Sequence, residues 1–143
     1  MNEPELRKRV LVVEDDGWIR RFMRDLLTDA GYAVVEAADG RTATRLAGEL
    51  LPDVLLLDVA MPDFSGVDVL RYLRGRRRTR SLPVIVVSAY PRVLPPDIAA
   101  SVLCVLMKPV EVDVLLAALR QAVDPIDVEV SYALERTGAS LMR

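Results

Sequence analysis

The sequence predicts an α/β protein built on a parallel β-sheet with helices on both faces. Five short apolar runs are spread along the 143 residues, each of a length that suits a strand covered on both sides. Segments with the apolar period of a helix lie between most of these runs. Strands that alternate with helices connect through right-handed crossovers and form a parallel sheet.

The individual elements follow from these patterns in chain order. The five predicted strands are Val10–Val13, Tyr32–Glu36, Val54–Leu57, Pro83–Ser88 and Val102–Met107. The predicted helices are Trp18–Ala30, the segment capped by Asp39 that runs through Leu50, Gly66–Leu73 and Val110–Val123, the last with Val114, Leu115, Ala118, Leu119 and Ala122 facing inward. The segment from Ala89 to Ala100 is irregular because Pro91, Pro95 and Pro96 prevent a long helix. This order and size predict a flavodoxin-like doubly wound sheet with strand order 2-1-3-4-5.

Composition excludes several classes of function. The net charge of -2 and pI near 5.2 give no reason to expect nucleic acid as a partner. The absence of histidine excludes histidine-based catalytic triads and zinc motifs. The single cysteine, Cys104, excludes an intrachain disulfide and is interpreted as a small buried thiol. With no signal-peptide character and no apolar run of membrane-spanning length, we expect a cytoplasmic protein without membrane contact.

The domain organisation is predicted to be simple. We expect an N-terminal tail over residues 1–8, one domain over residues 9–123, and a C-terminal extension or linker start over residues 124–143. Residues 126–132 alternate apolar and polar as a half-buried strand does, although the residues that follow could equally be helical. The run Gly75–Arg80 holds four arginines and is interpreted as a solvated connector.

Polar residues stand where four of the five strands end. Asp15 and Asp16 follow the first strand, Asp58 the third, Ser88 closes the fourth and Lys108 follows the fifth. The carboxyl ends of parallel strands share one edge of the sheet, so these side chains are expected in one crevice. Three close carboxylates repel one another, and a divalent ion with oxygen ligands, Mg²⁺ above all, relieves that repulsion. The lysine and the hydroxyl can each contact an oxygen of a phosphate group. Together with the carboxylates and the ion, they predict phosphoryl transfer onto Asp58.

Over roughly Arg9 to Val123 the chain resembles the receiver domain of two-component response regulators. The resemblance rests on Asp15-Asp16, the D-x-x-M-P-x-x-x-G loop from Asp58 to Gly66, Ser88, and Lys108-Pro109. It implies that Asp58 accepts the phosphoryl group and that Ser88 and Lys108 bind it. It further implies Mg²⁺ held by Asp15, Asp16, Asp58 and the backbone carbonyl of Ala60, with a cis bond before Pro109. The implied partners are a sensor histidine kinase or phosphotransfer protein, a downstream protein target and a second copy of the chain in a homodimer.

Alternative interpretations of the same residues remain open. Asp15 and Asp16 could simply cap the first helix. Val105 stands where the family usually carries the aromatic switch residue, which favours a phosphorylation-independent interaction module on the same fold. A phosphatase or hydrolase with an aspartyl nucleophile is a third possibility, against which the lack of an acid at Ala60 argues.

Overall fold

The fold is a five-stranded parallel sheet with helices on both faces. The computed structural model describes residues 7–59, 65–89 and 94–124. The strands are β1 (Arg9–Val13), β2 (Ala33–Ala37), β3 (Val54–Asp58), β4 (Val84–Ser88) and β5 (Cys104–Met107). The helices are α1 (Gly17–Asp29), α2 (Gly40–Leu50), α3 (Gly66–Arg74), α4 (Pro96–Ala99) and α5 (Val112–Val123). All neighbours pair in parallel in the order β2-β1-β3-β4-β5, which confirms the predicted fold class.

The sheet separates two apolar layers, and this explains the uninterrupted apolar runs of its strands. Along β3, Leu55 and Leu57 pack into the layer that contains α2, α3 and α4. Val54 and Leu56 pack into the opposite layer with α1 and α5. Because successive side chains point to opposite faces, a strand covered on both sides needs an apolar residue at every position.

Some predicted details differ from the structure. Val114 of α5, expected to face inward, is 46% exposed, whereas Leu115 and Leu119 are buried. The apolar stripe of a helix covers three to four positions in two turns, so an apolar residue at its margin stays partly exposed. Cys104, expected to be buried, is only half-buried because β5 is an edge strand. β5 itself is two residues shorter than predicted, and α5 begins two residues later.

Other predictions lie partly or wholly outside the described residues. α4 is a single short turn of four residues, in agreement with the irregular fourth helix expected from the prolines. Residues 90–93 beside it, and the extension over residues 125–143, are outside the described ranges. The division into tail, domain and extension therefore stays a prediction.

Among the described residues, no helix combines the length and the hydropathy that a bilayer crossing requires.

Short polar side chains begin the helices at the carboxyl edge of the sheet. Asp39 caps α2 by accepting a hydrogen bond from the backbone N–H of Thr42 at 2.8 Å, as predicted. Ser65 caps α3 through a reciprocal capping box with Asp68. These bonds satisfy backbone donors that a helix leaves unpaired at its start. The helix ends are thereby fixed next to the strand ends that carry the polar residues.

Gly66 closes the loop that follows β3. Its N–H donates to the carbonyl oxygen of Val59 at 3.2 Å. A Cβ atom at this position would collide with the Cα atom of Val59 and lie 2.9 Å from the carbonyl oxygen of Asp58. Because both contacts are with backbone, no side-chain rotation relieves them. Glycine is therefore required here for a close approach of two backbone segments.

We expect Gly66→Ala to lower the free energy of unfolding by about 2 kcal/mol, the typical cost of forcing extra atoms into a packed site. Gly48→Ala is the matched control, since a Cβ there meets nothing within 4 Å in the interior of α2. The control should raise stability by roughly 0.5–1 kcal/mol, the helix preference of alanine over glycine. Urea unfolding measures both. Equal effects of the two substitutions would contradict the close approach.

Candidate functional site

The strand register brings the predicted site residues to one edge of the sheet. Asp58 is the last residue of β3 and lies beside Val87 of β4. Ser88, the last residue of β4, lies beside Met107, and Lys108 follows directly. Asp58 and Ser88 are both buried. The structure thus places the carboxylate, the hydroxyl residue and the lysine at the same edge of the sheet, where the sequence predicted them.

Lys108 joins the ends of three strands. Its Nζ lies 3.4 Å from Oδ2 of Asp58 and 3.3 Å from Oε1 of Glu14, while its backbone N–H donates to the carbonyl oxygen of Ser88 at 2.9 Å. The peptide bond between Lys108 and Pro109 is cis, as the resemblance implied. Partial burial acts to lower the pKa of the Lys108 ammonium, but the charges of Glu14 and Asp58 outweigh it and the pKa is raised. The ammonium therefore stays protonated at neutral pH.

A third carboxylate lies next to the two that contact this lysine. Glu14, Asp15 and Asp58 each offer an oxygen, and these oxygens lie within 4.8 Å of one another. Glu14 is buried, and its pKa is raised from 4.5 to about 7, first by burial and further by the nearby charge of Asp58. The structure thus holds more negative charge in one place than the single ammonium balances.

The structure places Asp16 differently from the prediction. Its Oδ1 accepts hydrogen bonds from the backbone N–H groups of Trp18 and Ile19, at 2.9 and 3.1 Å, and so caps α1. Glu14, which was not among the predicted residues, takes the place in the cluster expected for Asp16. The predicted pair was therefore displaced by one position along a run of three acids. The capping alternative was visible in the sequence, because Asp16 directly precedes the helix.

Two further sequence predictions concern the same neighbourhood. Ala60, whose carbonyl was predicted to bind the metal, lies outside the described residues. Val105, at the position of the expected aromatic switch residue, is half-buried and packs against the core layer that contains α2, α3 and α4. The roles of both residues stay predictions.

A doubly wound sheet with clustered carboxylates and a lysine at its carboxyl edge defines a CheY-like class of α/β domain. Residues 10–120 match the family model of the response regulator receiver domain. The chain belongs to this family, a signalling domain of two-component systems rather than a classical enzyme.

Named relatives agree with this assignment. The chain is 49% identical over 80 residues to the transcriptional regulatory protein KdpE of Mycobacterium tuberculosis, a match that covers 56% of this chain and 34% of KdpE. It is 35% identical over 85 residues to the polar-differentiation response regulator DivK of Brucella ovis, a match that covers 59% of this chain and 69% of DivK. The chain thus spans about a third of the length of KdpE.

Solved structures share the fold. A sensor protein from Polaromonas sp. JS666 superposes with a TM-score of 0.77 at 30% identity, covering 83% of this chain and 98% of that one. The receiver domain of the sensor histidine kinase PA1611 from Pseudomonas aeruginosa, with a magnesium ion coordinated in its active-site cleft, superposes with a TM-score of 0.73 at 27% identity. That match covers 82% of this chain and 98% of the PA1611 domain.

The raised pKa of Glu14 predicts a pH-dependent stability in the absence of metal. The folded state binds the Glu14 proton more tightly than the unfolded chain, so the contribution of this proton to stability should be complete below pH 4.5 and be lost as the pH rises through about 7. Glu14→Gln should flatten this decline, because glutamine does not titrate. The substitution should gain about 1–2 kcal/mol at pH 8, less than the shift alone implies, because it also removes the ion pair with Lys108.

Urea unfolding between pH 5 and 8 with a chelator measures this effect. The chain has no histidine, whose titration would otherwise fall in the same range. The same decline in wild type and Glu14→Gln would show that the Glu14 carboxylate is not the cause.

Proposed function

We propose that the chain is a phosphoacceptor that receives a phosphoryl group on Asp58 from a histidine kinase or a phosphotransfer protein and signals through a protein surface. The observation that carries the proposal is the contact of Lys108 with the buried Asp58 carboxylate beside two further acids. An ammonium in that position can bind an oxygen of a phosphoryl group attached to Asp58.

The residues present fit a divalent metal ion. Three carboxylates with oxygens within 4.8 Å of one another are the hard ligands that Mg²⁺ prefers. Burial is the main cause of the raised pKa of Glu14, and the charge of Asp58 raises it further; a bound cation would favour the charged form of this carboxylate. We propose Asp15 and Asp58 as ligands with Glu14 beside them, and Asp16 as the helix cap. When bound, the ion supplies positive charge against the phosphoryl oxygens.

Each side chain of the site then has a separate role in the transfer. A carboxylate oxygen of Asp58 attacks phosphorus, a new O–P bond forms, and the P–N bond to the histidine of the donor breaks. Lys108 exchanges its contact with Asp58 for a phosphoryl oxygen, and the Ser88 hydroxyl donates to another. Burial of Asp58 and Ser88 limits the access of water.

Val105 favours a second candidate, a phosphorylation-independent interaction module on the same fold. A valine packed against the core has no ring that could turn inward when the phosphoryl group arrives. The two candidates differ in one measurable property. A module of this kind keeps its partner after Asp58→Ala, whereas a phosphorylation switch loses the phosphorylation-dependent change in affinity.

Intact mass after incubation with acetyl phosphate and Mg²⁺ tests the first candidate. We expect a phosphoryl adduct on the wild type, which disappears in Asp58→Asn and when a chelator replaces Mg²⁺. Asp15→Asn should lower the yield strongly, whereas Asp16→Asn should leave it close to that of the wild type, because Asn also caps helices. No adduct and no Mg²⁺ affinity in the wild type would refute the phosphoacceptor proposal.

The partner surface for the phosphodonor is proposed on α1. Trp18 and Phe22 are 82% and 60% exposed, and they lie one helical turn apart at the end of α1 nearest the acidic cluster. Exposed aromatic side chains so close together are typical of protein interfaces. We propose that they contact the protein that carries the phosphohistidine.

The double substitution Trp18→Ser/Phe22→Ser should separate partner docking from chemistry. Transfer from any histidine kinase that labels the wild type should slow about tenfold, because the complex would lose two aromatic contacts that it buries on docking. Labelling by acetyl phosphate, a donor too small to reach α1 and Asp58 together, should stay unchanged. Leu51→Asn, an exposed apolar residue at the far end of α2, is the control. A parallel loss of both activities would indicate damage to the site rather than to docking.

A further inference from the structure

A basic pocket lies on the opposite side of the fold from the acidic cluster. It has a volume of about 430 Å³, and its lining includes Arg45, Glu49, Tyr72, Arg76, Arg77 and Arg78. α2 and α3 run from the carboxyl edge of the sheet back to its amino edge, and the pocket lies at their last turns and the connector after α3. α3, about 13 Å long at 1.5 Å per residue, begins beside the end of β3 and reaches the pocket with its last turn.

The pocket is strongly positive, and most of its positive charge is not paired with an acidic side chain among the described residues. Glu49 is already paired with Arg45 at 3.2 Å. Arg77 and Arg78 are exposed and form no hydrogen bond or ion pair within the part of the chain that the structure describes. The C-terminal dipole of α3 explains arginines in its last turn, but Arg77 and Arg78 lie beyond that turn. Their guanidinium groups are available to a ligand.

An aromatic ring stands next to these charges. Tyr72 is 41% exposed, and the guanidinium carbon of Arg76 lies 4.4 Å from its ring centre. This cation–π contact holds the ring and one guanidinium together in the pocket wall. A ring and a cluster of guanidinium groups are complementary to a ligand that has a flat body and anionic groups.

The connector that carries the arginines is held in one conformation. The guanidinium of Arg74 donates four hydrogen bonds to backbone carbonyl oxygens, those of Thr79, Arg80, Leu82 and Ser101. The buried hydroxyl of Thr79 donates to the carbonyl oxygen of Leu73 at 2.8 Å. Because the turn is tied to α3 and to the segment before β5, the pocket wall is preformed. A preformed wall lowers the ordering cost of binding.

We propose that this pocket binds a small anionic ligand with two adjacent phosphate groups and a ring, of the nucleoside diphosphate class. Guanidinium forks match phosphate oxygens, and the volume lies in the usual range of small-molecule pockets, roughly 300–1,000 Å³. An extended peptide of acidic residues fits less well, because its same-side carboxylates lie about 6.6 Å apart and it offers no ring to pack against Tyr72.

Calorimetric titration of the full chain with ADP tests the proposal. A chelator excludes metal-dependent binding at the acidic cluster, and roughly 50 mM salt keeps screening modest. We expect one ADP per chain, with Arg77→Gln/Arg78→Gln weakening binding about tenfold. Arg80→Gln, an exposed arginine of the same connector outside the pocket lining, should change the affinity less than twofold. Asp58→Asn should bind as the wild type does, which keeps this test independent of the proposed phosphorylation.

Further ligands test the ring and the class of ligand. Pyrophosphate should bind more weakly than ADP, and Tyr72→Leu should reduce the affinity for ADP to that for pyrophosphate. The proposal is overturned by absent ADP binding, by equal weakening in Arg80→Gln, or by pyrophosphate binding as tightly as ADP. An octapeptide of glutamate that binds more tightly than ADP would also overturn it and indicate an acidic protein partner. Unchanged unfolding curves establish that the variants remain folded.

Discussion

The ion pairs of Lys108 with Glu14 and Asp58 are the interaction on which the rest of the site depends. These contacts tie the end of β5 to the ends of β1 and β3 across the carboxyl edge of the sheet. Asp15 adds a third carboxylate to the two that this ammonium contacts, so the edge keeps an excess of negative charge. The pKa of Glu14 is raised mainly by burial, and the neighbouring charge of Asp58 adds to the shift. A site of this kind favours the binding of a cation, and of an anion that the lysine ammonium can contact.

Close backbone contacts and helix caps fix the position of the crowded carboxylates at this edge. Gly66 lets the start of α3 approach the backbone of Val59, directly after Asp58. Asp16, Asp39 and Ser65 cap the helices that begin at the same edge. The first turns of these helices carry positive partial charge, which favours negative charge at this edge of the sheet. The opposite edge carries the reverse charge, in an arginine-rich connector fixed by Arg74.

The fold and its five strands were predictable because a sheet buried on both faces leaves an unmistakable pattern. Every position of β3 and β4 is buried. Each of these strands therefore appears in the sequence as an uninterrupted apolar run, which can be recognised without knowing what packs against it. The boundaries of β5 and α5 were less accurate, since an edge strand is only half covered. Asp58, Ser88 and Lys108 could be placed together because parallel strands end at one edge.

The sequence by itself determined the strand count, the class of fold and the chemical character of the site edge. Only the tertiary structure decided which two of three consecutive acids enter the cluster, since a shift of one residue turns a side chain from the crevice to the helix start. The same holds for Trp18, Phe22 and Val114, because helical periodicity shows that an apolar face exists without showing which residues a neighbour covers. Packing against a sheet from two sides makes that choice, and it depends on contacts distant in the chain.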